Sequence, residues 1–394
     1  MRVRSARFYR LTLPFKSSYK HHLAERTENE TIVLRLRSEA KHKGLGECIP
    51  RSYLTGETVS QAEDALNGSL VGDFVGREIT SWGQLRGLLR DHGDRAEREG
   101  KLAAFAAVDL ALVDLWAREQ GLPVAAALGG VKRWLFEYSG PISAGSSWKT
   151  RKRALMFRVF GFNQVKFKAG YDGDIDALRM VRRILGPRVD IRVDANCAWS
   201  REEALEKIRA MNGSSVTCVE QPVAGGDLEG LAWLAERSPV PIMADESLTG
   251  LESARRLAEL DAPVMFNVRL AKCGGYVRSM AIVELARKKG LGWQLGCLVG
   301  ETGILSMAGR HFAAATADYR YLEGSYGPHF LRHDVVKGRV GFGWRGRARL
   351  IEALGLGLVL HRGAIKRFCH QTSETEVSRP AKTGVNGDSD GENA

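Results

Sequence analysis

QVKFKAG, residues 164–170, places Lys166 and Lys168 on either side of Phe167 in a stretch that otherwise reads as a buried strand. Side chains alternate along a strand, so Lys166 and Lys168 share one face while Val165, Phe167 and Ala169 share the other. Two neighbouring ammonium groups repel, and burial adds a desolvation cost. Both effects push a lysine toward its neutral, basic form. Such a pair weakens a core, and a fold that keeps it needs a use for a base.

Outward from this strand the chain repeats itself. Short apolar strand candidates are FEYSGPIS (136–143), NQVKFKAG (163–170), VDIRVDAN (189–196), VTCVEQP (216–222), VPIMADES (240–247), VMFNVRLAKCGG (264–275), LGWQLGC (291–297) and RYLEGS (320–325), with amphipathic helical patterns between them. Polar residues at or just past the strand ends follow one another from Lys168 through Asp194, Glu220, Asp245, Lys272 and Cys297 to Glu323, at intervals of 26, 26, 25, 27, 25 and 26 residues. One βα unit fits each interval. Eight strands, with this series of polar groups at the carboxyl ends of the last seven, read as the catalytic rim of a TIM-type barrel.

The segment before the barrel has a different rhythm. RVRSARFYRLTL, ETIVLRLRSE and KGLGECIP alternate like strands of a meander, and KLAAFAAVDLALVDLWAREQG (101–121) is a helix stopped by Gly121 and Pro123. The expected organisation is an α+β domain over 1–130, the barrel over 131–330, a return to the first domain over 331–365, and a polar, disordered tail over 366–394.

Composition narrows the class. A chain of 394 residues with 44% hydrophobic residues can bury a large core, which sets it apart from disordered proteins. Six cysteines without C-x-x-C pairs indicate neither a disulfide framework nor a zinc site, and suit a reducing, cytoplasmic setting. No run is long and apolar enough for a membrane span, and the basic N-terminus lacks a signal peptide's apolar stretch. The net charge of +12 is spread along the chain, with KTRKR (149–153) the one short cluster, so a solvated basic surface or a small anionic substrate is expected rather than a nucleic-acid or membrane partner.

The rim carries the chemistry. Asp194, Glu220 and Asp245 end three successive strands, and three acids at one mouth repel unless a cation sits among them. A hard divalent ion, Mg²⁺ foremost, takes such oxygen ligands; the competing arrangement pairs the acids with nearby lysines. Lys168 and Lys272 lie four units apart, on opposite sides of an eight-stranded barrel, as two bases flanking a substrate would. If the ion holds a substrate carboxylate, loss of the α-proton gives a metal-stabilised enediolate and the lysines exchange protons on either face.

The ordered set KFK (166–168), DAN (194–196), EQP (220–222), ADES (244–247) and KCGG (272–275) resembles the enolase superfamily, in the branch holding muconate cycloisomerases, dipeptide epimerases and o-succinylbenzoate synthases. The resemblance implies an α/β fold, a modified TIM barrel (β/α)7β with an N-terminal α+β capping domain. It implies Asp194, Glu220 and Asp245 as Mg²⁺ ligands and Lys168 and Lys272 as acid/base catalysts. Lys166 would contact the substrate carboxylate and keep Lys168 poised near neutrality; Asn196 joins the substrate site. A homo-oligomer acting on a small carboxylate is a further implication.

Dipeptide epimerases of this branch carry an Asp-x-Asp pair at the eighth strand, where this chain reads YLEGSYG with Glu323 alone. A cycloisomerase-like reaction or racemisation or epimerisation of an amino-acid derivative is therefore expected, with an o-succinylbenzoate synthase-type dehydratase as the alternative. Glu301 in GCLVGETG and Tyr53 in PRSYLTG are further candidates for substrate contact, and the loops 16–26 and 50–56, with Tyr19, Lys20, His21 and Arg51, are candidate lids. Other classes are a Schiff-base lysine aldolase, which the three carboxylates disfavour, and a non-catalytic binder of acidic ligands.

Overall fold

The computed structural model describes residues 1–21, 24–145 and 147–376, with the backbone alone for 19–21, 24 and 25. The first three strands, Val3–His21, Ala24–Ser38 and Lys43–Cys48, form an antiparallel meander in register Phe8 with Leu34 and Leu36 with Gly44. Phe8, Ile32, Leu34 and Leu36 are buried on one of its faces, and Leu11, Leu13 and Val33 on the other. Beneath lies helix Leu102–Glu119, apolar around nearly its whole circumference and buried from Leu102 through Ala117. Strand Lys43–Cys48 presses so closely on it that a Cβ at Gly44 or Gly46 would stand 2.0 Å from the Ala111 carbonyl oxygen or 1.9 Å from that of Ala107. The two glycines of GLG exist for this close approach.

The sequence reading placed everything from residue 366 in a disordered tail, and the structure differs. Helix Arg362–Phe368 leads into strand Cys369–Glu376, which adds to the outer edge of the meander by pairing with Ser5–Leu11. CHQTSETE has almost no apolar side chains to betray a strand, because its ladder with Val3–His21 is made by backbone groups and its side chains stay mostly exposed.

Seven parallel strands build the barrel: Gly140–Ser143, Gln164–Lys168, Asp190–Asp194, Val216–Glu220, Ile242–Ala244, Val264–Val268 and Trp293–Leu295, adjacent in sequence order. An eighth, minimal strand at 321–323 closes it. Glu323 N–H donates to the Leu295 carbonyl at 2.8 Å on one side, and the Leu322 carbonyl accepts from Ser139 N–H at 2.9 Å on the other. Apart from Gln164 and Asp190 at the amino ends and Lys168 at the rim, the second, third and sixth strands are continuous buried runs, as parallel strands covered by helices must be.

Buried carboxylates bind the two parts together by accepting from orphan N–H groups at barrel-helix N-termini. Glu47, from the meander, accepts from Thr302 N at 3.0 Å and Leu305 N at 3.0 Å. Asp109, from the long helix, accepts from Tyr276 N at 2.5 Å and Val277 N at 3.2 Å, at the start of helix Gly275–Lys288. Gly275 has φ +87° and a Cβ there would lie 2.4 Å from Asp109 Oδ1, so the last glycine of KCGG serves the interface.

Burial pushes the Asp109 carboxyl up from 3.8 to about 7, against the pull of its two N–H donors and Arg278. A raised carboxyl pKa favours the folded state below the unfolded value, and this advantage disappears as pH rises through the folded value. Asp109→Asn cannot titrate. Its cost in unfolding midpoint relative to wild type should therefore be greater at pH 5 than at pH 8, measured by thermal melts across that range; a cost that grows with pH would contradict the burial of this carboxylate.

Candidate active site

Strand register assembles the rim. Lys168, Asp194 and Glu220 are direct neighbours on the second, third and fourth barrel strands, and Asp245 follows the end of the fifth. The alternation that puts Lys166 with Lys168 also puts Arg192 with Asp194, so the interior receives both rows. Asp194, Glu220, Asp245 and Lys272 are almost fully buried, with exposures of 0%, 0%, 1% and 1%.

Cations stand among these acids. Lys166 Nζ lies 3.0 Å from Asp194 Oδ2, 2.8 Å from Glu220 Oε1 and 3.1 Å from Glu323 Oε1. Lys168 Nζ lies 3.7 Å from Asp194 Oδ2 and 3.5 Å from Asn196 Oδ1. On the other side, Lys272 Nζ donates to Asp245 Oδ1 at 2.8 Å and to the Asp245 carbonyl at 2.5 Å, while Arg269 pairs with Asp245 and donates to the Cys297 carbonyl at 2.8 Å. The two lysines thus flank the acids, Lys168 beside Asp194 and Lys272 beside Asp245. The ion-paired arrangement of the acids is the one present, and among the described residues no three acidic, histidine or cysteine side chains form a ready-made metal cluster.

The electrostatics correct one expectation. Burial does lower the Lys166 pKa, but the Asp194, Glu220 and Glu323 carboxylates outweigh it and hold the ammonium well above its ordinary value. Lys166 is a fixed cation. Among the acids, burial pushes Glu220 up to about 7, with Asp194, Glu323 and Asp245 adding to the rise and Lys166 opposing it. Asp245 falls below its ordinary value because Arg269, Lys272 and Lys166 overcome its burial. Glu220, central in the row, has Lys166 at 2.8 Å and Arg269 at 3.6 Å and accepts from Asn267 Nδ2 at 2.7 Å, yet burial among the other acids still leaves it raised.

A cation fits there. Asp194 Oδ2 is buried and accepts no hydrogen bond, although two ammonium groups face it. Together with Glu220 and Asp245 it offers hard oxygens on consecutive strands, the donor chemistry of a hard divalent ion.

Gln221 fixes the spacing of two of these acids. Its Oε1 accepts from Asp245 N at 2.9 Å and Ser247 N at 3.0 Å, and its Nε2 donates to Ser247 Oγ at 2.8 Å and the Val223 carbonyl at 2.9 Å. Gln221 and Asn196 both adopt left-handed φ, +39° and +46°. Strain of this kind persists where the surroundings over-determine the backbone, as at active sites.

The structure brings together most of the remaining candidates. Asn196 joins Lys168 to Glu246, donating to Glu246 Oε1 at 3.2 Å. Glu301 and Glu323 share the wall of one small cavity of about 10 Å³ with Tyr138 and Leu270. Burial pushes Glu301 up to about 8. Arg51 is no solvent-facing lid residue: it is buried, pairs with Asn29 and donates to the Val299 carbonyl at 3.3 Å, tying the 50–56 loop to the loop after the seventh strand. Tyr53, on that loop, is 39% exposed with Arg26 over its ring. The Tyr19, Lys20 and His21 side chains, and His22, lie outside the described residues.

Sequence reasoning missed Arg192, Arg269 and Glu246. Arg192 is fully buried, donates to Ser139 Oγ at 2.9 Å and pairs with Glu323. Two residues before Asp194, it was open to the same alternation argument that paired the lysines. Arg269 stands three residues before Lys272, and Glu246 adjoins Asp245 in ADES. Burial and the Asp245 and Asp194 charges push Glu246 up to about 8.

Residues 149–364 match the enolase C-terminal domain-like family and residues 9–129 the mandelate racemase / muconate lactonizing enzyme N-terminal domain family. The chain is 32% identical over 355 residues to the L-Lys-D/L-Arg epimerase of Methylococcus capsulatus (89% of this chain, 95% of the relative). It is 29% identical over 369 residues to muconate cycloisomerase 1 of Rhodococcus opacus (91% and 96%). The crystal structure of a dipeptide epimerase from Cytophaga hutchinsonii, complexed with Mg and D-Ala-L-Val, superposes with a TM-score of 0.85 at 26% identity, covering 95% of this chain and 100% of that one. The chain belongs to the enolase superfamily, in its mandelate racemase and muconate-lactonising branch.

Removing Lys166 should expose how much of the rim it holds. Lys166→Met leaves three buried carboxylates facing one another and should lower unfolding free energy by about 3–5 kcal/mol in metal-free buffer. Arg179→Met, which removes an exposed pair with Asp176, should cost less than about 1 kcal/mol. Chemical denaturation of both variants gives the comparison; equal costs would contradict the central position of Lys166.

Proposed function

We propose that this enolase-superfamily isomerase is a Mg²⁺-dependent enzyme that removes and returns the proton α to a substrate carboxylate, racemising or epimerising an amino-acid derivative or running the related cycloisomerisation. The observation that carries this reading is the placement of Lys168 and Lys272 on opposite sides of the acid row. Asp194, Glu220 and Asp245 would hold Mg²⁺, which supplies positive charge to the substrate carboxylate and to the enediolate formed when the proton leaves.

The chain's own groups do the rest. Lys166, buried and fixed in its charge, contacts the substrate carboxylate. One of Lys168 and Lys272 takes the α-proton and the other delivers one to the opposite face, which inverts the centre. Asn196 holds Lys168 by its Oδ1, and Asp245 holds Lys272. Glu301, Glu323 and Tyr53 shape the remainder of the substrate site, and the barrel and its antiparallel cap enclose it.

The eighth strand narrows the substrate. Lys166 and Arg192 engage the Glu323 carboxylate, and with Arg269 they hold its pKa below the usual carboxylate range despite burial. A carboxylate answered by two buried cations has little capacity left for a substrate ammonium group. An N-acylated amino acid or an unsaturated dicarboxylate, neither bearing a free amine, fits this wall better than a dipeptide. Muconate cycloisomerase 1 of Rhodococcus opacus is named for muconate, an unsaturated dicarboxylate.

In D₂O with Mg²⁺, the wild type should incorporate deuterium at Cα of both enantiomers of a turned-over N-acyl amino acid, and chelation with EDTA should stop it. Lys168→Ala and Lys272→Ala should each lose racemisation by about 10²–10⁴-fold while retaining exchange with opposite enantiomers. NMR of both enantiomers reads this directly. Undiminished exchange of both enantiomers in either variant, or faster turnover of dipeptides than of N-acyl amino acids, would overturn the base assignment or the substrate class respectively.

A further inference from the structure

The barrel's flank holds a second cavity that the reaction does not use. Where an eighth barrel helix would pack, the chain makes only the single turn Gly327–Phe330 and then runs on irregularly to Trp344. Between this segment and helix Ser147–Val159 lies a cavity of about 660 Å³, within the usual size of small-ligand sites. Its wall is aromatic. Phe157 and Phe162 are buried with centroids 4.5 Å apart, and Phe342 meets Phe162 edge-on at 6.0 Å.

Its mouth is cationic. Arg153, Arg339 and His329 also line the cavity, with Arg153 5.8 Å over the Phe157 ring and His329 stacked on Phe342 at 4.9 Å. Among the described residues no carboxylate lies within ion-pair distance of Arg153, Arg339 or His329. Burial lowers the His329 pKa, and the charges it senses from Arg339, Lys16 and Arg153 are all positive and lower it further. An apolar aromatic slot rimmed by uncompensated positive charge calls for a ligand with the opposite pattern: a flat hydrophobic body ending in an anion.

We propose that this flank cavity is a binding site for aryl-alkyl carboxylates, with the ring among Phe157, Phe162 and Phe342 and the carboxylate at Arg153 and Arg339. It is separate from the acid row, since none of Asp194, Glu220, Asp245, Lys168 and Lys272 lines it. One thread joins the two places. Tyr326, on the cavity wall, donates to the Ser139 carbonyl at 2.5 Å, and Ser139 Oγ accepts from Arg192, the partner of Glu323.

The probe is 2-naphthylacetate, titrated calorimetrically into the full chain with Mg²⁺ present. Arg153 and Arg339 are both exposed, so the double variant Arg153→Glu/Arg339→Glu should fold normally and bind at least tenfold more weakly. Glu220→Gln should leave binding unchanged, and the neutral 2-naphthaleneethanol should bind wild type at least tenfold more weakly than the acid. Three results would overturn the proposal: no binding to wild type, binding that Glu220→Gln removes and the charge reversal spares, or a dimer that the charge reversal dissociates without any naphthylacetate binding.

Discussion

The Lys166 ammonium, shared among carboxylates from the third, fourth and eighth barrel strands, is the contact on which the site's order depends. Desolvating one ammonium and several carboxylates together is expensive, and mutual attraction repays it only when every partner stays in place. That requirement fixes three strand ends relative to one another. It also explains why the barrel can close through an eighth strand as short as 321–323: Glu323 is anchored from within by Lys166 and Arg192 as well as by its backbone bonds.

Charge balance across the mouth is uneven, and the imbalance bears on function. Asp245 is answered by Arg269 and Lys272 and Glu323 by Arg192 and Lys166, while Asp194 and Glu220 share Lys166; Asp194 Oδ2 still accepts no hydrogen bond, and burial pushes Glu220 toward neutrality. A divalent cation would relieve both. The cap contributes by the same physics at longer range. Glu47 and Asp109 seat on the N-termini of the helices that follow the seventh and sixth strands, so the cap is registered on the strands that carry Glu301 and Lys272.

Much of this was legible in the chain because it rests on two periods. The period of two along a strand put Lys166 beside Lys168, and the recurrence of about one βα unit put Asp194, Glu220 and Asp245 on one rim. What escaped depended on long-range pairing. Nothing local marks Arg192 as the partner of Glu323, 131 residues away, or Arg51 as a bolt to Val299. The direction of the Lys166 shift was misjudged for the same reason: its neighbour in sequence is a lysine, but its neighbours in space are three acids. Strand Cys369–Glu376 was missed because an edge strand held by backbone bonds needs no apolar alternation.

The account's central claim is that the buried acid row, threaded by cationic side chains, is a site for one divalent ion. Calorimetric titration of Mg²⁺ into the chelator-treated protein tests it most directly. One ion per chain should bind, and Glu220→Gln should weaken that binding at least a hundredfold. Mg²⁺ binding of equal strength in wild type and Glu220→Gln, or none in wild type, would contradict it.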